Sequence, residues 1–128
     1  MTRDLILVVD DNPVNLKLTC ALLRRTGYDV WTAGDANETL AVLHTVRPRL
    51  ILMDIQLPDI DGLTLTRRLK ADPATQDVMI VALTAFAMKG DEQKAREAGC
   101  DGYISKPIEK RTFVNTITRL LDTSRDVS

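Results

Sequence analysis

The chain has 128 residues and a formal net charge of −1, with 45% hydrophobic, 27% charged and 4% aromatic residues. This length suits one domain, and the composition is typical of a globular protein rather than a disordered or collagen-like one. The low charge and few aromatic residues argue against nucleic-acid binding and against attraction to anionic lipid. The apolar runs are also too short to cross a bilayer.

Residues 1–4 lack the basic start and long apolar stretch of a secretory signal peptide. The two cysteines, Cys20 and Cys100, are too few for a disulfide framework, so we expect reduced thiols in a cytoplasmic protein. The single histidine, His44, lies in a helical pattern. A partly exposed helix residue is a better interpretation of it than a zinc ligand or a catalytic base.

Short apolar runs alternate with segments of helical spacing. The runs predict five strands, at residues 5–9, 30–33, 50–53, 78–83 and 103–104. The segments after them predict five helices, at residues 13–26, 36–46, 63–71, 91–98 and around 113–121. This alternation predicts βαβ units and a parallel sheet. We expect one domain over residues 1–122 and a flexible polar tail over residues 123–128.

Two of the predicted helices carry particular signals. The first has Asn12 as a cap, Pro13 at its first position and Gly27 after its end. Its inward stripe is predicted to be Leu18, Ala21 and Leu22. The fourth helix has a thin apolar stripe, Ala95 and Ala98.

The apolar runs also predict the order of the strands. The first, third and fourth runs are continuous, which is typical of central strands, whereas the second and fifth are mixed or short. With right-handed crossovers this predicts an α/β, flavodoxin-like (βα)5 fold, with sheet order 2-1-3-4-5 and helices on both faces. Ligand sites of such sheets lie beyond the carboxyl ends of the strands, here between the first and third.

Acidic residues follow the two strands that flank this point. Asp10 and Asp11 follow the first strand, and Asp54 follows the third. Three carboxylates in one crevice repel one another, and a Mg²⁺ ion would relieve the conflict because it prefers oxygen ligands. Taken singly, each aspartate is also explained as a loop residue or a helix cap.

The remaining strand ends add a hydroxyl and a cation. Thr84 and the backbone N–H of Ala85 follow the fourth strand, and Lys106 and Pro107 follow the fifth. Taken singly, Thr84 could be a turn residue or a cap and Lys106 a solvated surface lysine. Together with the acids they are the equipment of phosphoryl transfer, with a protein carboxylate available as the acceptor.

These motifs resemble those of the response-regulator receiver family (CheY-like) over residues 5–121. The matching segments are residues 8–12 (VVDDN), 50–58 with Asp61-Gly62 (LILMDIQLP), 82–85 (ALTA) and 102–107 (GYISKP). Residues 84–91 and 99–100 are particularly similar to single-domain members that regulate cell division. The resemblance implies a protein that is not an enzyme but a switch in a two-component phosphorelay.

The resemblance implies specific roles for the site residues. Asp54 would accept a phosphoryl group from a phosphohistidine. Asp11, Asp54 and the backbone carbonyl of Gln56 would bind Mg²⁺ directly, and Asp10 would act through bound water. Lys106 would pair with a phosphoryl oxygen, aimed by a cis peptide before Pro107.

It also implies a phosphate contact from Thr84 and the Ala85 backbone, and a switch in which Thr84 moves toward the phosphate while Tyr103 swings inward. Partners would be a histidine kinase or histidine phosphotransfer protein and a downstream effector, with the chain itself a monomer or weak dimer. Docking candidates, which are equally explained as ordinary surface residues, are Pro13, Val14, Lys17, Pro107 and Ile108.

Three alternatives remain at this point. A Mg²⁺-dependent aspartyl phosphatase would use similar groups, but such enzymes show Asp-x-Asp after the first strand and carry a cap. A flavin carrier would need a hydroxyl-rich phosphate cradle in place of the acidic loop. A receiver cut from a hybrid kinase or multidomain regulator would look the same, although Met1 near the first strand and the short tail favour a free-standing protein.

Overall fold

Apolar and amphipathic segments alternate as strands and helices in the computed structural model, which describes residues 4–84, 90–105 and 109–126, the last four by backbone alone. The strands of these parts are β1 (Leu5–Val9), β2 (Asp29–Ala33), β3 (Leu50–Asp54), β4 (Met79–Thr84) and β5 (Gly102–Ser105). The helices are α1 (Pro13–Thr26), α2 (Ala36–Thr45), α3 (Gly62–Ala71), α4 (Asp91–Ala98) and α5 (Lys110–Asp126).

The five strands form one parallel sheet in the order β2-β1-β3-β4-β5, which confirms the predicted flavodoxin-like topology. Every residue of β3 is buried, whereas β2 buries only Ala33 of its five residues. The central and edge positions inferred from strand composition are therefore also confirmed. The register places Val9 beside Met53 and Asp54 beside Leu83, which aligns the carboxyl ends of the three central strands.

The core has two layers because successive strand residues point to opposite faces of the sheet. One layer packs strand residues such as Leu7 and Ile51 against α2, α3 and α4. The other packs strand residues such as Ile6 and Leu52 against α1 and α5. In α5, Phe113, Ile117 and Leu121 are buried and Leu120 is half-buried.

Helix α1 has the predicted ends but a different inward face. The Asn12 side chain accepts hydrogen bonds from the Val14 and Asn15 amides, and Gly27 ends the helix at a φ of 106°. The predicted stripe of Leu18, Ala21 and Leu22 is wrong, because Leu18 is 66% exposed, Ala21 is exposed and Leu22 only half-buried.

The residues that α1 does bury are Thr19, Cys20 and Leu23. Apolar residues occur on both sides of this helix, so spacing alone does not choose between two possible stripes. Packing against the sheet selects the stripe that follows the i, i+3, i+4 and i+7 positions from Leu16.

The other elements lie close to their predicted bounds. Helix α4 buries only Ala95 and Ala98, as expected, and His44 is exposed on α2. Helix α5 continues through residues 123–126, which were expected to belong to the tail. Among the residues described, no helix combines the length and apolarity needed to span a membrane.

The two cysteines, Cys20 and Cys100, are both buried and form no disulfide. Burial raises the pKa of each thiol, which disfavours the reactive thiolate form. Both are therefore structural residues of the two core layers.

Candidate functional site

The carboxyl ends of β1, β3 and β4 bring three predicted site residues together at one edge of the sheet. Asp10 directly follows β1, Asp54 ends β3, and Thr84 ends β4. All three are buried, whereas Asp11 is exposed at the rim. Carboxylate oxygens of Asp10, Asp11 and Asp54 lie within 4.8 Å of one another. The predicted acidic crevice at the point where the winding reverses is therefore present.

Short turns fix the two buried acids. The Asn12 amide donates to Asp10 Oδ1 at 2.9 Å, and the Gln56 amide donates to Asp54 Oδ1 at the same distance. Each carboxylate accepts from the amide two residues further on, which is the geometry of an Asx turn. The acids are thus held in place by the chain that follows them.

The chemistry of this donor set fits a hard divalent cation. Three carboxylates this close repel one another in a partly buried site, and oxygen ligands of this kind are those that Mg²⁺ prefers. The Gln56 carbonyl belongs to the loop that directly follows Asp54. The amide of the same residue is held by its hydrogen bond to Asp54 Oδ1. The residues present therefore suit the ion that the sequence predicted.

A glycine lets helix α3 begin directly against Asp54. A Cβ atom on Gly62 would overlap the Asp54 carbonyl oxygen and lie 2.8 Å from the Ile55 Cα, and both of these are backbone atoms that cannot move aside. The Gly62 amide instead donates to the Ile55 carbonyl at 2.8 Å. The loop between β3 and α3 is closed tightly because this position has no side chain.

The far side of this loop carries Asp59, which the sequence analysis did not single out. Its carboxylate accepts hydrogen bonds from the Ala36 and Asn37 amides at the start of α2. The bond from Ala36 is the main reason that the pKa of Asp59 lies below its usual value. No local signal marks its contact with α2, because the two amides of that helix lie 22 and 23 positions earlier in the chain.

The two predicted switch residues share a face of the sheet. Thr84 pairs in register with Ser105 and Ala82 pairs with Tyr103, so Thr84 and Tyr103 project from neighbouring strands to the same side. Tyr103 is half-buried and packs against the layer that contains α4. Burial, followed by the negative charges of Asp91 and Glu92, raises the pKa of Tyr103, which keeps its hydroxyl protonated.

Several predicted residues lie outside the described parts of the chain, namely Ala85, Lys106, Pro107 and Ile108. The docking candidates on α1, which are Pro13, Val14 and Lys17, are all exposed. Val14 is 66% exposed, as is Leu18 one turn later. Leu18 is a surface residue that the predicted inward stripe of this helix wrongly included.

Comparison with known proteins agrees with this geometry. The model of the response regulator receiver domain matches residues 6–118. The chain belongs to the response-regulator receiver family. It is therefore a phosphoacceptor signalling domain, in a family whose members work with kinases and effectors and bind Mg²⁺ at an acidic pocket.

Curated relatives of this receiver domain include polar-differentiation response regulators named DivK. The Brucella anthropi protein is 44% identical over 116 residues, which cover 91% of this chain and 94% of the relative. The Brucella ovis protein is 43% identical over 121 residues, which cover 94% and 98%. The predicted similarity to cell-division regulators of this family is thus confirmed at the level of sequence.

Solved structures resemble the receiver domain over nearly its whole length. A CheY-like receiver of Methanospirillum hungatei superposes with a TM-score of 0.91 at 30% identity, covering 99% of this chain and all of the other. The receiver domain of a Pseudomonas aeruginosa sensor histidine kinase has a TM-score of 0.83 at 36% identity, covering 92% and 97%. That second structure holds a magnesium ion in its active-site cleft.

Proposed function

We propose that Asp54 accepts a phosphoryl group from a phosphohistidine and that the resulting acyl phosphate switches the binding of a downstream protein. The observation that carries the proposal is the convergence of Asp10, Asp11 and Asp54, with carboxylate oxygens within 4.8 Å of one another at the carboxyl edge of the sheet. A nucleophilic carboxylate beside two further acids suits an acceptor whose reaction needs a bound cation.

The proposed step balances without any co-reactant beyond the phosphohistidine and water. An Asp54 carboxylate oxygen attacks phosphorus, and the new P–O bond forms as the P–N bond breaks. The leaving imidazole nitrogen keeps the bonding electron pair and takes a proton from water. The hydrogen bond from the Gln56 amide to Asp54 Oδ1 holds the carboxylate while its other oxygen approaches phosphorus.

Asp10, Asp11, Asp54 and the Gln56 carbonyl would hold Mg²⁺ in this proposal. When bound, the ion supplies positive charge to the phosphoryl oxygens and offsets the repulsion between them and the acids. The Thr84 hydroxyl, the Ala85 amide and the Lys106 ammonium are proposed to contact the remaining oxygens. The position of Thr84 at the end of β4, next to Asp54 in the sheet, supports its part.

The output is proposed to follow from Thr84 and Tyr103. If Thr84 moves toward the phosphoryl group, it vacates space on the face that Tyr103 shares, and the half-buried ring can turn inward. Helix α4 is anchored by only two buried alanines, Ala95 and Ala98, so shifting it costs little. The face around α4 and α5 would then present a changed surface to the effector.

Docking of the phosphodonor is proposed on α1. Pro13, Val14 and Lys17 are exposed, and Leu18 extends the apolar part of this surface by one turn. Pro107 and Ile108 remain candidates on sequence grounds. The donor would be a histidine kinase or a histidine phosphotransfer protein, and similarity to DivK supports a role in cell-cycle or polarity control.

The protein is proposed to act as a cytoplasmic switch rather than an enzyme with its own substrate, and as a monomer or weak dimer. A second candidate has the same chemistry but a different setting, as a receiver within a hybrid kinase. The 36% identity with the receiver of a sensor histidine kinase supports it.

Intact mass after incubation with Mg²⁺ and acetyl phosphate tests the proposal. We expect one phosphoryl adduct on the wild type, none on Asp54→Asn, and none when a chelator is added. Asp72→Asn is the matched control, because Asp72 is an exposed loop residue that also accepts a hydrogen bond from the amide two positions later.

Retention of the adduct by Asp54→Asn would contradict the assignment. If the wild type took no adduct from acetyl phosphate, the same samples would be incubated with phosphorylated histidine kinases. Transfer from a kinase would then support the proposal, and its absence would leave a domain that signals by binding alone.

A further inference from the structure

We infer that Asp59 is a positioning residue of the phosphoryl-transfer site, which holds the loop after Asp54, and the Gln56 carbonyl within it, against the start of α2. The inference rests on the proposed function of Asp54. It gives α2 a part in the site although this helix contributes none of the residues proposed to bind Mg²⁺ or phosphate.

The contact between Asp59 and α2 uses both oxygens of the carboxylate. The Ala36 amide lies 3.0 Å from Oδ1 and 3.1 Å from Oδ2, and the Asn37 amide lies 3.2 Å from Oδ2. The first amides of a helix have no partner within it and carry partial positive charge. Asp59 therefore supplies acceptors and a complementary charge from a different part of the chain.

Asp59 lies midway along a loop that is fixed at both ends. At its start, the Ile55 amide donates to the Leu83 carbonyl and the Gln56 amide to Asp54 Oδ1. At its end, Gly62 packs against the Asp54 backbone. Only Leu57 and Pro58 separate Gln56 from Asp59, so a displaced Asp59 would carry the Gln56 peptide with it.

The start of α2 is in turn connected to Asp10, the other buried acid of the site. The Asp10 amide donates to the Ala33 carbonyl at 3.1 Å, which ties the end of β1 to the end of β2. Only Gly34 and Asp35 separate Ala33 from Ala36, whose amide binds Asp59. The segment between β2 and α2 thus links the backbone at Asp10 to the loop that follows Asp54.

A simpler role for Asp59 would be that of a helix cap with no effect on the site. Asp35 allows the two roles to be separated, because it also caps α2, accepting from the Glu38 amide at 2.7 Å. Asp35 is the residue immediately before α2, so its cap does not connect the helix to the loop after Asp54. Replacing either aspartate by alanine removes one negative charge and one cap from the same helix end.

The experiment compares Asp59→Ala, Asp35→Ala and wild type by NMR, through Mg²⁺ titration and hydrogen exchange of the Gln56 amide. We expect Asp59→Ala to weaken Mg²⁺ binding about tenfold, as is typical when a residue that orients metal ligands is lost. Its Gln56 amide should exchange faster, whereas Asp35→Ala should match the wild type in both measurements. Asp59→Asn, which keeps one acceptor oxygen, should fall between them.

Equal behaviour of Asp59→Ala and Asp35→Ala in both measurements would overturn the inference and leave Asp59 as a helix cap. If Asp59→Ala fails to fold, Asp59→Asn and Asp35→Asn give the same comparison. A wild type that binds no Mg²⁺ and takes no phosphoryl group would refute the proposed function instead. The Gln56 exchange rates would still decide the role of Asp59, because they need neither ligand.

Discussion

The two edges of the sheet handle charge in opposite ways. At the carboxyl edge, Asp10, Asp11 and Asp54 place three like charges within 4.8 Å of one another. At the amino edge, Lys70 Nζ donates to Asp101 Oδ2 at 2.9 Å and to the Val78 carbonyl at 2.7 Å. The first arrangement is suited to binding a cation, and the second pairs its aspartate with a lysine side chain.

The amino edge is also tied to the backbone at several points. Asp101 Oδ2 accepts from the Ile80 amide at 2.9 Å as well as from Lys70, and Lys70 contacts the carbonyls of both Gln76 and Val78. One ion pair thereby joins α3, the start of β4 and the turn before β5. The same side chain can therefore stabilise the fold at one edge and suit cation binding at the other, according to the charges placed beside it.

Asp54→Asn should show the largest difference between the two edges in phosphoryl uptake and in the free energy of unfolding. It should abolish phosphoryl uptake while raising the free energy of unfolding in Mg²⁺-free buffer, because it removes one of three repelling charges and keeps an oxygen for the Gln56 amide. Asp101→Asn should do the reverse, retaining uptake and lowering stability. Denaturant unfolding and intact mass measure the two effects, and a less stable Asp54→Asn would contradict the comparison.

Lys70→Met should cost about 2 kcal/mol of unfolding free energy, because it strips a charged donor from Asp101 and from two carbonyls but keeps an apolar stem of similar length. Phosphoryl uptake should not change, since Lys70 lies at the opposite edge from Asp54. Urea unfolding tests the first expectation and acetyl phosphate labelling the second. Arg96→Met, which removes an exposed ion pair with Glu92, is the control and should have little effect.

Mg²⁺ should stabilise the carboxyl edge without affecting the amino edge. At ten times its dissociation constant, a ligand that binds only the folded state adds about 1.4 kcal/mol to the free energy of unfolding. Asp11→Asn should lose most of this gain, whereas Lys70→Met should keep it. Thermal unfolding with Mg²⁺ and with a chelator measures the gain, and an equal gain in all three proteins would place the ion elsewhere.

The fold and the acidic crevice were predictable because local patterns encode them. The apolar runs give the strands and their order, and parallel strands bring Asp10, Asp11 and Asp54 to one edge. The cap at Asn12 is likewise a signal between adjacent residues.

Features that depend on packing or on distant partners were not predictable in this way. Leu18 and Leu23 are both apolar residues of α1, and only the sheet beneath the helix decides which one is buried. Asp59 finds its partners in α2 22 and 23 residues away, and Lys70 finds Asp101 31 residues away, so no short window of sequence contains both members of these pairs.

The smallest expected effect is the change in stability that low pH causes through Asp59 at the carboxyl edge. Its pKa lies below the ordinary value of 3.8, mainly because the Ala36 amide donates to the carboxylate. A lowered folded pKa means that the contribution to stability is present above 3.8 and is lost as the pH falls through the folded value. Asp59→Asn lacks this contribution, so its deficit relative to the wild type should shrink as the solution is acidified.

Urea midpoints of the wild type and Asp59→Asn at stepwise lower pH measure this convergence. Asp35 and Glu38 share the start of α2 and are present in both proteins, so the difference between the two sets of midpoints isolates the contribution of Asp59. A deficit that stays constant down to the lowest pH would mean that the charge of Asp59 contributes nothing and that its acceptor oxygens alone hold the loop.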